Sequence, residues 1–160
     1  MIIVEEIRSG GQTGADLGGL LAAKDLGLKT GGFIPKGFLT ELGLQPELAA
    51  FGLQETSSKE YPPRTRLNIQ HSDGTVIFTQ LPFSRGSRLT FTECVKMGKP
   101  KLIVNPFTYE SPKEFLRWLE DEKIKILNVA GSRESRWPGI EESVRQFIRL
   151  SLLGKIKKMV

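Results

Sequence analysis

A glycine-rich turn at residues 9–16 is the part of the chain best suited to chemistry. It follows an apolar run, Ile2 to Ile7, and precedes a stripe of apolar residues with helical spacing. Because glycine lacks a Cβ, backbone N–H groups can approach an oxyanion closely here, and the following helix directs its unpaired donors to the same point. The pattern predicts a phosphate-binding turn, with a purely structural strand-to-helix turn as the alternative. The candidate ligand contacts are Gly10, Gly11, Gln12, Thr13, Gly14 and Asp16.

Two further loops have the same strand-to-helix arrangement. Residues 81–88 follow an apolar run at 75–79 and precede a helix predicted from Leu89 to Met97, and residues 131–137 follow the run at 124–130. Arginines in these loops could donate charge-assisted hydrogen bonds to phosphate oxygens, although exposed surface arginines are the ordinary alternative. The candidate contacts are Arg85, Gly86, Ser87 and Arg133.

Two Thr-x-x-acid pairs have two interpretations. Thr13 with Asp16, and Thr90 with Glu93, match a capping box, in which a hydroxyl and a carboxylate satisfy backbone donors at the start of a helix. The same side chains could instead contact a ligand or take part in catalysis. The sequence leaves both interpretations open.

The segment from Pro35 to Ser72 is long and weakly patterned, with one helix predicted from Pro62 to about Gln70. Long connections of this kind are often functional. Arg64 and Asn68 lie four residues apart, share one face of this helix and could close over a ligand. Lys36 could reach an anion or a ribose hydroxyl. For all three, an ordinary surface side chain is the alternative.

Five apolar runs alternate with helical patterns along the 160 residues. This alternation predicts one α/β domain over residues 1–160, with three layers and a mainly parallel five-stranded sheet in the order 2-1-3-4-5. Ligands of such sheets bind outside the carboxyl ends of the strands, where the strand order reverses. The runs are Ile2 to Ile7, Lys29 to Ile34, Thr75 to Thr79, Lys101 to Asn105, and Ile124 to Ala130.

Composition narrows the classes of function. Cys94 is the one cysteine and His71 the one histidine, which argues against an internal disulfide, a zinc cluster or a histidine-based triad. The net charge of +5 suits an anionic ligand. We expect no nucleic-acid partner, because the terminal Lys155, Lys157 and Lys158 fit a solvated helix end and no basic stripe is interleaved with aromatic residues. No apolar run approaches a membrane span, so we expect a cytoplasmic protein without a membrane partner.

The last helical pattern predicts a homo-oligomer. Its apolar residues cover more of the circumference than one core face requires. They include Phe147, Ile148, Leu150, Leu152 and Leu153.

Together these motifs resemble the bacterial molybdenum carrier protein family over nearly the whole chain. That family belongs to a Rossmann-like superfamily that also includes molybdenum-cofactor carriers, lysine-decarboxylase-like phosphoribohydrolases and nucleotide-sensing domains. The resemblance implies a Rossmann-like fold and a phosphate-bearing ligand, either molybdenum cofactor or a nucleotide. It also implies ligand contacts from Gly131 and Glu134. The matching segments are residues 9–16, 35–37, 64–68, 72–75, 89–93, 127–135 and 138–140.

The phosphoribohydrolase branch carries the motif Pro-Gly-Gly-x-Gly-Thr-x-x-Glu, which is only partly present in this chain. Gly86, Thr90 and Glu93 match it, whereas Ser87 and Leu89 replace two of its glycines. Replacing those glycines restricts the conformations with which the loop could wrap a ribose phosphate.

We therefore expect a carrier that binds its ligand without turnover. The alternative is an enzyme that hydrolyses the N-glycosidic bond of a nucleoside monophosphate. In that enzyme Glu93 would stabilise a cationic ribose, and Arg85 or Arg133 would hold the phosphate.

Overall fold

The computed structural model describes residues 1–81, 83–108 and 111–156. Lys157 and Lys158, which we expected at a solvated helix end, and Pro82 of the second loop lie outside these residues. The strands are β1 (Glu6–Ser9), β2 (Lys29–Ile34), β3 (Leu39–Thr40), β4 (Gly43–Leu44), β5 (Leu53–Glu55), β6 (Gly74–Phe78), β7 (Lys101–Val104) and β8 (Ile126–Gly131). The helices are α1 (Ala15–Leu26), α2 (Tyr61–Gln70), α3 (Arg85–Met97), α4 (Lys113–Asp121) and α5 (Ile140–Leu152), with a 3-10 helix at Pro46–Phe51.

A parallel sheet with helices on both faces confirms the predicted three-layer α/β class. The sheet has six strands in the order β5-β2-β1-β8-β6-β7, and all its pairs are parallel. A separate antiparallel hairpin joins β3 to β4.

The predicted strand order was wrong, because the last strand lies in the middle of the sheet and not at its edge. In β8, Leu127 lies opposite Ile7 of β1, and Val129 lies opposite Val76 of β6. Leu127 and Val129 are fully buried, as a central strand requires, whereas every residue of the edge strand β7 is only half-buried. Numbered along the chain, the five predicted strands therefore run 2-1-5-3-4.

The predicted number of strands was also wrong. The sixth strand, β5, pairs its Leu53 with Gly32 of β2 at the opposite edge of the sheet. It is three residues long, and Gln54 and Glu55 are exposed. So short a strand with one buried side chain leaves no apolar run in the sequence. The first strand also begins later than predicted, because Ile2 makes only an isolated bridge to Ile156.

The two helical layers cover opposite faces of the sheet because alternate residues of a strand point in opposite directions. On one face α1, α4 and α5 share the main core, which includes Ala22, Phe115 and Phe147. On the other face α3 packs against β6 and β8, and α2 packs against β2. None of the described helices is long and apolar enough to cross a membrane.

Candidate functional site

The three predicted loops converge on one pocket of about 300 Å³ at the carboxyl edge of the sheet. Residues that follow β1, β6 and β8 line it, together with the first turn of α2. The lining residues are Gln12, Asp16, Tyr61, Pro62, Arg64, Thr65, Ser84, Arg85, Gly86, Leu89, Thr90, Ala130, Gly131, Arg133 and Arg136. The chain leaves β8 towards one face of the sheet and β6 towards the other, so the strand order reverses between these two strands, where ligands of open α/β sheets bind.

A larger hollow of about 460 Å³ lies between the end of β7 and the start of α4. Among the described residues that line it, the charged side chains are one cation and one anion, Lys113 and Glu114. It therefore lacks both the converging loops and the net charge of the first pocket, which we take as the candidate site.

Two glycines of the first turn have a structural role in addition to any contact with a ligand. Gly14 has φ of +83°, and a Cβ at this position would lie 2.3 Å from the carbonyl oxygen of Ser132. Gly11 has φ of +68°, and a Cβ there would lie 2.6 Å from the Leu53 side chain. The close approach of the first and third loops therefore explains why residue 14 is a glycine. This agrees with the structural interpretation of the turn.

Gly10 is different, because the space above its Cα holds an arginine. A Cβ at Gly10 would lie 1.9 Å from Nη1 of Arg64. The guanidinium therefore packs directly against the backbone of the glycine turn. The Arg64 side chain is 14% exposed and lies at the wall of the pocket.

Asp16 and Arg64 form a buried ion pair at this wall. The Asp16 carboxylate accepts hydrogen bonds from the Gln12 amide at 3.2 Å and from Arg64 Nη1 at 3.5 Å. Burial raises the pKa of Asp16 above its ordinary value, even though Arg64 acts in the opposite direction. Burial, and then the neighbouring charge of Arg133, lower the pKa of the Arg64 guanidinium, although the Asp16 charge opposes this.

Of the two interpretations of Thr13 and Asp16, the capping box was wrong. Gly14 is the N-cap of α1, and no side chain of the described residues caps this helix. The Thr13 hydroxyl donates instead to the carboxylate of Glu41 on the β3–β4 hairpin and accepts a bond from the Glu134 amide. Burial opposes ionisation of Glu41, yet the hydrogen bonds from Ser135 and Thr13 hold its pKa below the ordinary value. The glycine turn is thus joined to the hairpin and to the third loop.

The capping-box interpretation of Thr90 and Glu93 was wrong as well, because α3 begins four residues earlier than predicted. Its N-cap is Ser84, whose hydroxyl accepts a hydrogen bond from the Ser87 amide at 3.3 Å. Thr90 lies within the helix and donates to the Gly86 carbonyl at 3.1 Å. Arg85 and Gly86 therefore belong to the first helical turn and not to a loop.

Three helices begin at or next to the pocket, and the positive end of a helix dipole favours an anion. Residues at or next to the first turns of α1, α2 and α3 line it, and the first N–H groups of a helix have no partner within the helix. Among the lining residues, the charged side chains are one carboxylate, Asp16, and four arginines. The arginines are Arg64, Arg85, Arg133 and Arg136.

Asn68 lies outside this pocket. Its side-chain oxygen accepts a hydrogen bond from the Phe33 amide at 2.8 Å, and its nitrogen donates to the Phe33 carbonyl at 3.0 Å. Phe33 lies beyond the residues of β2 that pair with β1. The Asn68 side-chain amide therefore makes the hydrogen bonds to β2 that a neighbouring strand would otherwise make at this point. The side chain holds α2 against β2.

Eight other predicted contacts are also absent from the lining, and four of them belong to the glycine turn itself: Gly10, Gly11, Thr13 and Gly14. Lys36 is exposed on the loop after β2. Glu134 accepts hydrogen bonds from the Gly139 and Glu141 amides at the start of α5. Ser87 is buried in the first turn of α3. Glu93 is 7% exposed and lies 3.4 Å from Nε of Arg66 and 3.9 Å from Nζ of Lys96.

Tyr61 and Arg136 line the pocket but were not among the predicted contacts. Tyr61 is the first residue of α2, directly before two prolines, and it precedes Arg64 by three positions. Residues at this spacing share a helix face. The helix start and the nearby arginine were therefore the sequence features that could have indicated Tyr61 as a lining residue. Arg136 lies in the third loop, three residues after Arg133.

Comparison with known proteins agrees with this architecture. Residues 7–152 match the model of the circularly permutated YpsA SLOG family. The chain belongs to this family. A crystal structure of a "Putative molybdenum carrier protein" from Syntrophus aciditrophicus SB is similar to this SLOG protein, with 33% sequence identity and a TM-score of 0.88. The match covers 94% of this chain and 96% of that one. The comparison with curated protein sequences gives no match.

The permutation in the family's name agrees with the strand order of this SLOG protein. If the last strand is counted first, the five predicted strands take the order 3-2-1-4-5, which is that of a doubly wound dinucleotide-binding sheet. β8 then occupies the position of the first strand of that sheet. In the permuted chain, the loop after this strand carries Arg133 and Arg136.

Proposed function

We propose that the pocket binds a phosphate-bearing small ligand, either molybdenum cofactor or a nucleotide, without cleaving it. The observation that carries this proposal is the charge of the pocket, where four arginines and three helix starts face one carboxylate. Guanidinium groups and helix N-termini are the protein groups best suited to phosphate oxygens. The name of the structural relative supports molybdenum cofactor as one of the two candidate ligands.

Binding without cleavage rests on the position of the one carboxylate that sequence motifs assign to hydrolysis. Glu93 does not line the pocket and is paired with cations on α2 and α3. Asp16, which does line it, is engaged by Arg64 and the Gln12 amide. These contacts favour a carrier over an N-glycosidic hydrolase.

Isothermal titration with nucleoside monophosphates, nucleoside diphosphates and molybdenum cofactor tests the proposal. Arg133→Gln and Lys36→Gln are a matched pair, because each removes one positive charge but only Arg133 lines the pocket. We expect Arg133→Gln to weaken binding by about 10-fold or more, as for the loss of one charge-assisted hydrogen bond, and Lys36→Gln to bind like the wild type. Equal affinities for the two variants, or no binding of any phosphate compound, would contradict the proposal.

Incubation with the same nucleotides separates a carrier from an enzyme. We expect chromatography to show no free base after prolonged incubation. Release of base that is lost in Glu93→Gln, with binding retained, would favour the hydrolase.

We also propose a homo-oligomer, although fewer apolar residues of the last helix are exposed than the sequence suggested. Of the five apolar residues noted on the last helix, Phe147, Ile148 and Leu152 are buried in the core, and Leu150 and Leu153 are each 60% exposed. Light scattering coupled to size exclusion tests this at micromolar concentration. A monomer would count against it.

A further inference from the structure

The ring of Tyr61 lies against two of the pocket's four arginines. Cζ of Arg133 is 4.4 Å from the ring centroid, and Cζ of Arg64 is 5.6 Å from it. We propose that Tyr61 is a positioning residue, which holds these two guanidinium groups together so that both can contact one anionic group. This inference rests on the proposed function, because it assigns the residue that organises the same pocket.

Two neighbouring cations need such a residue because they repel each other. The charge of Arg133 acts on Arg64 strongly enough to help lower the pKa of the Arg64 guanidinium. Asp16, at 3.5 Å, acts on this pKa in the opposite direction and more strongly than Arg133, but burial keeps the pKa lowered. Nε of Arg64 is buried without a hydrogen-bond partner among the described residues. An aromatic face attracts cations through its quadrupole without supplying a negative charge that would repel an anionic ligand.

The backbone of Tyr61 is itself fixed. Tyr61 begins α2 after the extended N-cap residue Glu60, and its carbonyl accepts a hydrogen bond from the Thr65 hydroxyl at 3.1 Å. One turn further along, Asn68 binds the Phe33 peptide and holds the helix against the sheet. The ring is therefore carried by a rigid element, and the two arginines can be positioned before a ligand arrives.

This arrangement narrows the class of ligand. Two guanidinium groups at one ring carry two positive charges, and each can donate hydrogen bonds to a different oxygen. They therefore match an oxyanion that carries at least two negative charges. A phosphate monoester or a diphosphate satisfies this requirement, whereas a carboxylate or a phosphodiester carries only one charge. Inorganic pyrophosphate and inorganic phosphate are suitable probes.

Tyr61→Leu and Tyr61→Phe separate the ring face from the hydroxyl. In titrations with pyrophosphate we expect Tyr61→Leu to bind about 10-fold more weakly and Tyr61→Phe to bind within about 3-fold of the wild type, given the usual strength of cation–π contacts. Phe91→Leu is the matched control, because the Phe91 ring lies 5.0 Å from Nζ of Lys101 but outside the pocket lining. It should bind like the wild type.

A second measurement needs no ligand. Arginine protons over an aromatic face have upfield-shifted NMR signals, so the Arg133 side chain should show this shift in the wild type and in Tyr61→Phe, and lose it in Tyr61→Leu. Circular dichroism and thermal unfolding of each variant verify that it is folded.

The outcomes separate the two proposals. If the wild type binds pyrophosphate and Tyr61→Leu binds it equally well, the role of Tyr61 is overturned and the proposed function stands. If Tyr61→Phe loses as much affinity as Tyr61→Leu, the hydroxyl and not the ring face is responsible, which also overturns the inference. A wild-type protein that binds neither these probes nor any other phosphate compound overturns the proposed function and this role together.

Discussion

The amide of Ala15 donates a hydrogen bond of 3.0 Å to the carbonyl of Ser132, so α1 begins directly against the loop that follows β8. This contact joins the first and the third loop beside the pocket. Gly14, the residue before Ala15, has no room for a side chain there. The glycine turn and the third loop therefore form one unit, and substitutions in either should affect both stability and binding.

Gly14→Ala should lower the free energy of unfolding by about 2–4 kcal/mol, because it adds the strain of a left-handed conformation to a backbone clash. Gly27→Ala is the matched control. Gly27 also has positive φ, of +72°, but no atom of the described part of the chain lies within 4 Å of its Cβ position, so its cost should be only about 1 kcal/mol. Urea unfolding measures both, and equal costs would contradict the packing role of Gly14.

Gly86→Ala should weaken ligand binding without lowering the stability of the fold. Gly86 lies in the first turn of α3, and a Cβ there would have no neighbour within 4 Å among the residues that the structure describes. The variant should unfold at the same or a slightly higher urea concentration, with a gain of up to about 1 kcal/mol from helix propensity. Its affinity for pyrophosphate should fall, because a methyl group narrows access to the helix N-terminus. Unchanged affinity would remove the first turn of α3 from the binding surface.

Asn68→Ala should act on stability and hardly on ligand contact. It removes two hydrogen bonds to the Phe33 peptide in a buried position, which should cost about 1–3 kcal/mol. Asn68→Asp keeps the acceptor for the Phe33 amide but loses the donor for its carbonyl, so it should also destabilise the fold. Pyrophosphate titration of the folded variants should give Kd values close to that of the wild type. A large loss of affinity in a stably folded variant would instead show that Asn68 acts on the ligand site, either directly or through the position of α2.

Asp16→Asn should change how stability depends on pH. Because burial raises the pKa of Asp16 in the folded state, the folded protein binds this proton more tightly than the unfolded chain. The resulting stabilisation is complete below the ordinary pKa of 3.8 and is lost as pH rises through the folded-state value. The stability of the wild type relative to Asp16→Asn should therefore decrease as pH rises above about 4.

Asp25→Asn is the control for this prediction, with the opposite sign. The hydrogen bond from Arg145 lowers the pKa of Asp25, so its contribution is present above the ordinary pKa and is lost as pH falls through the folded-state value. Relative to Asp25→Asn, the wild type should gain stability as pH rises. Urea unfolding of the wild type and both variants at a series of pH values between about 3 and 8 tests the pair. Parallel curves for the two variants would contradict it.

The class of fold could be predicted from local patterns. Continuous apolar runs and helical stripes alternate, and Gly27 and Gly98 end α1 and α3 in the left-handed conformation typical of helix C-caps. The order of the strands could not be predicted. Each buried parallel strand has much the same composition, and which neighbours it takes depends on where distant helices cross the sheet. Only the pairing of β8 with both β1 and β6 shows that the last strand lies in the middle of the sheet.

The sequence by itself determined that three strand-to-helix loops would face the same edge of the sheet, because the carboxyl ends of parallel strands share one edge. Only the tertiary structure decided what each side chain does there. Arg64 and Asn68 share a helix face, yet one lines the pocket and the other completes a strand. The sequence did not indicate a role for Tyr61, because it lies in a weakly patterned segment and because its contact with Arg133 joins residues far apart in the chain. Residue type and spacing specify the possible chemistry, whereas a partner from a distant element decides whether a polar group remains available for it.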